Sequence, residues 1–225
     1  MDFFKRNMAI VRITRITITL LATFSLCSGL PTRAADDYQF WPFVTKKMGS
    51  YRNLNLSVYA EPRYSTEDGR WSAYIFGPTL SYKRNPWLTF ATAVKVLQVR
   101  SGDGFARIYR YEGQVGLDFK LAHRWRYQHR ARLEILDRHG RPNNDRIRNR
   151  AQFSRPVSFG RINRFFFSNE YFFDTTRGDF DQNRFVPFGI SMPLRKGQTF
   201  SLFYMYQHVR ANSRDHHILG ASLSL

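Results

Sequence analysis

Arg126-Tyr127-Gln128-His129-Arg130-Ala131-Arg132-Leu133-Glu134-Ile135 is the stretch on which the fold turns. Successive side chains of a strand point to opposite faces. One face here is therefore Arg126, Gln128, Arg130, Arg132 and Glu134, and the other is Tyr127, His129, Ala131, Leu133 and Ile135. In a soluble sheet the apolar face covers a core. In a bacterial outer-membrane barrel the order is inverted, with the apolar face toward lipid and the polar face inward.

The same period of two runs outward from this segment in both directions. Toward the N-terminus, Tyr109, Tyr111, Val115, Leu117 and Phe119 alternate with Arg110, Glu112, Gln114, Gly116 and Asp118. Before them, Trp87 to Val99 is nearly all apolar or Thr, with Lys95 the one charge in its middle. Further segments start at Leu54 and Ala73. Toward the C-terminus the pattern returns around Ile147, Phe165, Arg184 and Phe200, and it ends with Leu219, Ala221, Leu223 and Leu225 on one face. About ten antiparallel strands are predicted, an even number as in bacterial single-chain barrels, with both ends of the barrel domain on the periplasmic side. Short connections such as 83–86, 121–123 and 194–198 are expected at one end, and longer polar loops such as 65–69, 139–145 and 175–181 at the other.

Aromatic residues make up 16% of the chain, and many stand near predicted strand ends, among them Trp71, Tyr82, Trp87, Trp125, Phe165 and Tyr206. Rings there suit the two interfaces of a membrane. In a soluble periplasmic β-sandwich binding module, the alternative architecture, the same rings would fill a core.

The N-terminus points to export. Lys5, Arg6, Arg12 and Arg15 precede an apolar run from Ile16, and Thr32-Arg33-Ala34 offers small residues for a peptidase. A cleaved signal peptide over 1–34 is predicted, leaving 35–225 as one outer-membrane β-barrel domain. The uncharged run 16–30 is shorter than the roughly 20 residues that span a bilayer as a helix. Cys27, the single cysteine, leaves with the signal, so no disulfide is expected in the mature chain. The formal charge of +18 falls to +14 when Lys5, Arg6, Arg12, Arg15, Arg33 and Asp2 are removed. A basic chain invites anionic partners. Nucleic acid is not expected, because the chain is exported and its Arg residues alternate with aromatics instead of forming a block. The expected partners are outer-membrane lipid and lipopolysaccharide, with the barrel-assembly machinery during insertion.

Trp41, Glu61-Pro62-Arg63, Arg130-Ala131-Arg132-Leu133-Glu134, Arg148-Asn149-Arg150, Asn169-Glu170-Tyr171-Phe172, Phe180-Asp181-Gln182-Asn183-Arg184 and Tyr204-Met205-Tyr206-Gln207 follow one another in an order that resembles the bacterial barrels of domain of unknown function 2490. The resemblance covers nearly the whole chain after 34. It implies an outer-membrane barrel and no established activity.

The inward parity predicts a lumen charge network of Glu61, Arg63, Glu112, Arg130, Arg132, Glu134, Arg148, Arg150, Glu170 and Arg184. About ten strands enclose a narrow interior, so these side chains would interlock across it. The functional expectation is a structural protein or a narrow, anion-favouring pore of the envelope, without enzymatic activity, cofactor or metal. The alternative is a hydrolase at the rim, a peptidase or lipid deacylase, with His208 as base beside Asp215, His216 and His217. Neighbouring His216 and His217 point to opposite faces and cannot share one metal. His123 and His129 stand about 20 Å apart along a strand. No H-E-x-x-H, G-x-S-x-G or phosphate-binding glycine loop is present.

Overall fold

A computed structural model describes residues 37–138, 143–195 and 197–225. The predicted signal, its cleavage after Ala34, and His139 lie outside the described residues.

Alternating Val, Ile, Leu and aromatic residues favour extended backbone, where large side chains pack on the pleat. They form eleven strands: β1 Asp37–Tyr51, β2 Leu54–Ser65, β3 Arg70–Asn85, β4 Leu88–Ser101, β5 Gly104–Lys120, β6 Arg126–Arg138, β7 Asn144–Phe159, β8 Ile162–Asp174, β9 Asp179–Pro193, β10 Thr199–Val209 and β11 Arg214–Ser224. Each strand pairs antiparallel with the next, and β1 pairs parallel with β11 to close the barrel. One sheet closed on itself leaves no second layer, so the sandwich architecture does not describe this chain.

The strand count corrects the expectation of about ten. β1 is the added strand, and its polar contrast is weak because both faces carry rings. Tyr38 and Phe40 point out, while Trp41 is buried inside, where Phe43 also lies against Phe203 and Tyr59. An odd count forces parallel closure, with Asp37 opposite His216 and Thr45 opposite Ser224. Asp37 and Leu225 therefore lie at opposite ends of the barrel, not at one end as expected. The contrast of short and long connections is absent as well. Connections 66–69, 102–103 and 175–178 at the Asp37 end match 52–53, 86–87 and 194–198 at the Leu225 end in length. The strands continue into stretches that read as polar loops, since a ladder can extend past the apolar band.

The two surfaces of the wall have opposite polarity. Leu56, Phe76, Phe90, Val94, Leu133, Ile147 and Leu219 are exposed on the outside, while Lys95, Arg110, Glu112, Arg132, Glu134, Arg148 and Glu170 are buried inside. Leu133 is 48% exposed and its neighbour Glu134 is 0%. Outward charges such as Arg100, Arg107, Asp137 and Arg155 occur toward strand ends. Rings form two bands outside. Near the Leu225 end, Trp87, Phe119, Tyr127, Phe153 and Phe167 follow one another at centroid distances of 6.2, 6.5, 5.0 and 5.3 Å. Near the Asp37 end, Tyr64, Trp71, Tyr74 and Phe105 do the same at 5.5, 6.2 and 5.5 Å.

Inside, one part of the wall is apolar. Trp41, Val186, Met205 and Ile218 pack together with Phe166 and Phe203 against them. The Phe166 and Phe203 rings lie over Gly189 and Gly220, where an added Cβ would meet ring carbons at 2.3 and 2.1 Å. Glycine is required there for close approach, and it lets large rings fit in a narrow lumen.

Candidate functional site

The rest of the interior is a lattice of charges on β4 to β9. Its register explains its form. Arg130 stands opposite Arg150 and Arg132 opposite Arg148 on β7, and Glu112 stands opposite Glu134 across β5 and β6. Like charges directly opposite repel. The side chains therefore pair along diagonals. Glu134 receives Arg148 Nη1 at 2.5 Å from one diagonal and Arg132 Nη1 at 3.3 Å from its own strand, with Arg110 Nε 3.9 Å away on the other side. Its one directly opposed partner is Arg146, whose Nε donates at 2.6 Å.

Glu112 is the second node. Lys95 Nζ lies 3.1 Å from Glu112 Oε1 and Arg132 Nη1 3.3 Å from Oε2. Arg110 Nε is 2.8 Å from Glu112 Oε1 but out of line for a hydrogen bond, so that contact is coulombic. Glu170 is the third node, with Arg130 Nη2 donating at 2.6 Å and Arg148 Nη2 at 2.9 Å. Arg148 thus bridges Glu134 and Glu170, and Arg130 reaches from β6 past β7 to β8.

The remaining predicted residues lie nearby. Glu61 accepts from Arg63 Nε at 2.7 Å and from the Tyr59 hydroxyl. Arg63 and Arg184 both cover the Trp41 ring, at 3.7 and 5.0 Å from its centroid. Arg184 Nε donates to Gln207 at 2.7 Å and its guanidinium also lies on Phe172. Phe172, fully buried, meets the guanidinium of Arg148 at 4.3 Å as well. Guanidinium on an aromatic face is favourable where water is excluded. Arg150 has no carboxylate within ion-pair distance among the described residues.

The structure adds Lys95, Arg110 and Arg146 to the ten residues expected. Parity alone places all three inside, and the single charge at Lys95 in an apolar strand was the visible signal. Phe172 and Trp41, as faces for arginine, had no signal of their own.

At the parallel seam, Asp37 accepts from Ser65 Oγ on β2 at 3.1 Å and lies 3.0 Å from His216 Nδ1 on β11, which ties β1 to both neighbours. His217 points outward, stacked on Tyr38 and hydrogen-bonded to the Tyr204 hydroxyl at 2.6 Å. His208 Nδ1 and Asp215 Oδ1 are 2.7 Å apart on the outer surface, beside a crevice lined by Tyr171, Phe180, Gln182, Asn183 and Arg210. That lining has no serine, threonine or cysteine. Among the described residues, no three His, Cys, Asp or Glu side chains gather as a metal site requires.

No curated protein and no solved structure matches the chain. A family described as protein of unknown function (DUF2490) matches it over residues 38–217, a span running from β1 into β11, and the chain belongs to that family.

Proposed function

We propose that the chain is an outer-membrane β-barrel, exported with loss of residues 1–34, that serves as a braced envelope protein whose lumen passes small anions at most. The observation that carries this reading is the inverted wall, apolar outside and charged inside, bounded by two bands of rings. On β5 the two bands stand at Phe105 and Phe119, about 48 Å apart along the strand or about 34 Å along the axis at a tilt of about 45°, so the rings flank an apolar band of about 25 Å from outside. Arg107, outward between Phe105 and Tyr109, would stand at the level of the ring band and within reach of lipid phosphates, in keeping with contacts to lipopolysaccharide. A polar lumen in a narrow barrel has to be filled by its own side chains. The ion-pair lattice does so, and its excess of arginine favours anions over cations. We read the His208–Asp215 contact as a surface hydrogen-bonded pair, because its crevice offers no serine, threonine or cysteine for the imidazole to activate.

Fractionation tests the reading. The protein is expected in the outer membrane with heat-modifiable mobility on detergent gels. Leu133→Arg places a charge near mid-bilayer at a cost of about 2–4 kcal/mol and should impair assembly. Gln128→Arg points inward toward Asp118 and should assemble more normally. Recovery from the soluble periplasm, or the reverse order of the two variants, would sink the proposal.

A further inference from the structure

Below the lattice, toward the Leu225 end, the lumen holds a cavity of about 190 Å³ whose wall includes Gln114, Gly116, Asp118, Gln128, Arg130 and Arg150. Its charges do not balance. Glu170 is the nearest carboxylate in register with Arg150, yet both its oxygens are already taken by Arg130 and Arg148. Arg130 has a buried Nε with no hydrogen-bond partner, and the part-buried Arg150 guanidinium makes no ion pair among the described residues, Glu170 pairing with Arg130 and Arg148 instead. Asp118, at the mouth, does not compensate, because Arg126 binds it through two nitrogens and Gln128 Nε2 donates to it at 3.1 Å. Gln114 accepts from Arg132 through its oxygen at 3.0 and 3.3 Å, which leaves its amide NH₂ to donate. Space is kept open by Gly116, where an added Cβ would meet nothing closer than 3.8 Å.

A buried N–H without an acceptor is costly, and a charged acceptor held by several guanidinium groups is bound well. We propose that this cavity is an oxyanion-binding site, with Arg150 and Arg130 as its cations and Gln114 as a neutral donor. The ligand is the phosphate or carboxylate group of a small solute, since the volume lies below that of pockets for drug-sized molecules. The site depends only on the barrel interior and stands whether or not the outer wall meets lipid.

The test uses the full mature barrel in detergent, titrated with inorganic phosphate or with acetate at constant ionic strength set by chloride. Calorimetry and the heat-modification midpoint are the two readouts. Saturable phosphate binding that raises the midpoint is expected. Arg150→Gln should weaken it at least tenfold. Gly116→Leu fills the cavity while leaving every arginine in place, and it should abolish binding in a barrel that still shows the folded mobility. Acetate binding as tightly as phosphate would assign the site to oxyanions generally, and phosphate alone would narrow it to phosphate groups. No saturable binding of either anion by the parent, or equal binding by both variants, would overturn the proposal.

Discussion

Glu134 shows how single residues hold this barrel together. It is fully buried and touched by arginines from β5, β6 and β7. Away from the strand ends an apolar sheath outside leaves ionised groups the lumen, and there Glu112, Glu134 and Glu170 each serve more than one cation. Breaking a buried ion pair by removing one partner costs about 3–5 kcal/mol, because the other charge stays behind. Glu134→Gln is therefore expected to lower the heat-modification midpoint sharply. His208→Ala should leave that midpoint close to the parent's, since the His208–Asp215 pair is part-exposed and such pairs contribute about 0–1 kcal/mol. Equal midpoints for Glu134→Gln and the parent would refute the lattice as a source of stability. A peptidase or deacylase activity lost in folded His208→Ala would favour the hydrolase alternative.

At the scale of elements, the seam between β1 and β11 is the least expected feature. Nine strand-to-strand steps from β2 to β11 were legible from alternation, as the match of Leu133 and Glu134 to opposite faces shows. β1 was not, because rings on both of its faces blur the contrast that alternation needs. Its position is set from outside by β11 and β2, through Asp37, Ser65 and His216. Val44 on β1 and Leu223 on β11 are register partners, both outward. Cysteines at these two positions should form a disulfide, since neighbouring strands lie about 4.8 Å apart and disulfides accept Cα separations of about 4.4–6.8 Å. Residues 35–225 contain no native cysteine to compete. A ten-strand barrel closed by β2 and β11 would leave the pair unbridged, and that outcome would refute the parallel seam.

For the whole molecule, the lumen's composition carries the proposed preference for anions. The lattice on one side and the Trp41, Phe166 and Phe203 cluster on the other narrow the interior from both walls. In planar bilayers the protein is expected to show no conductance or small anion-favouring steps. Replacing Arg148 and Arg150 together by Ser removes two inward cations and should lower any anion preference. Large cation-selective steps from the unmodified protein would contradict the charge assignment.

Taken alone, the sequence determined which side chains face in and which face out, because strand parity is local and repeats every two residues. It also determined that the interior is charged: Glu61, Glu112, Glu134 and Glu170 share their faces with arginines in any barrel built from these strands. Only the tertiary structure decided that β1 closes the sheet in parallel, that the described chain begins and ends at opposite ends of the barrel, and which acid serves which arginine. Those outcomes depend on register between segments far apart in the chain. Directly opposed Arg130–Arg150 and Arg132–Arg148 pairs push the bonding onto diagonals, and a diagonal exists only once the strands are aligned.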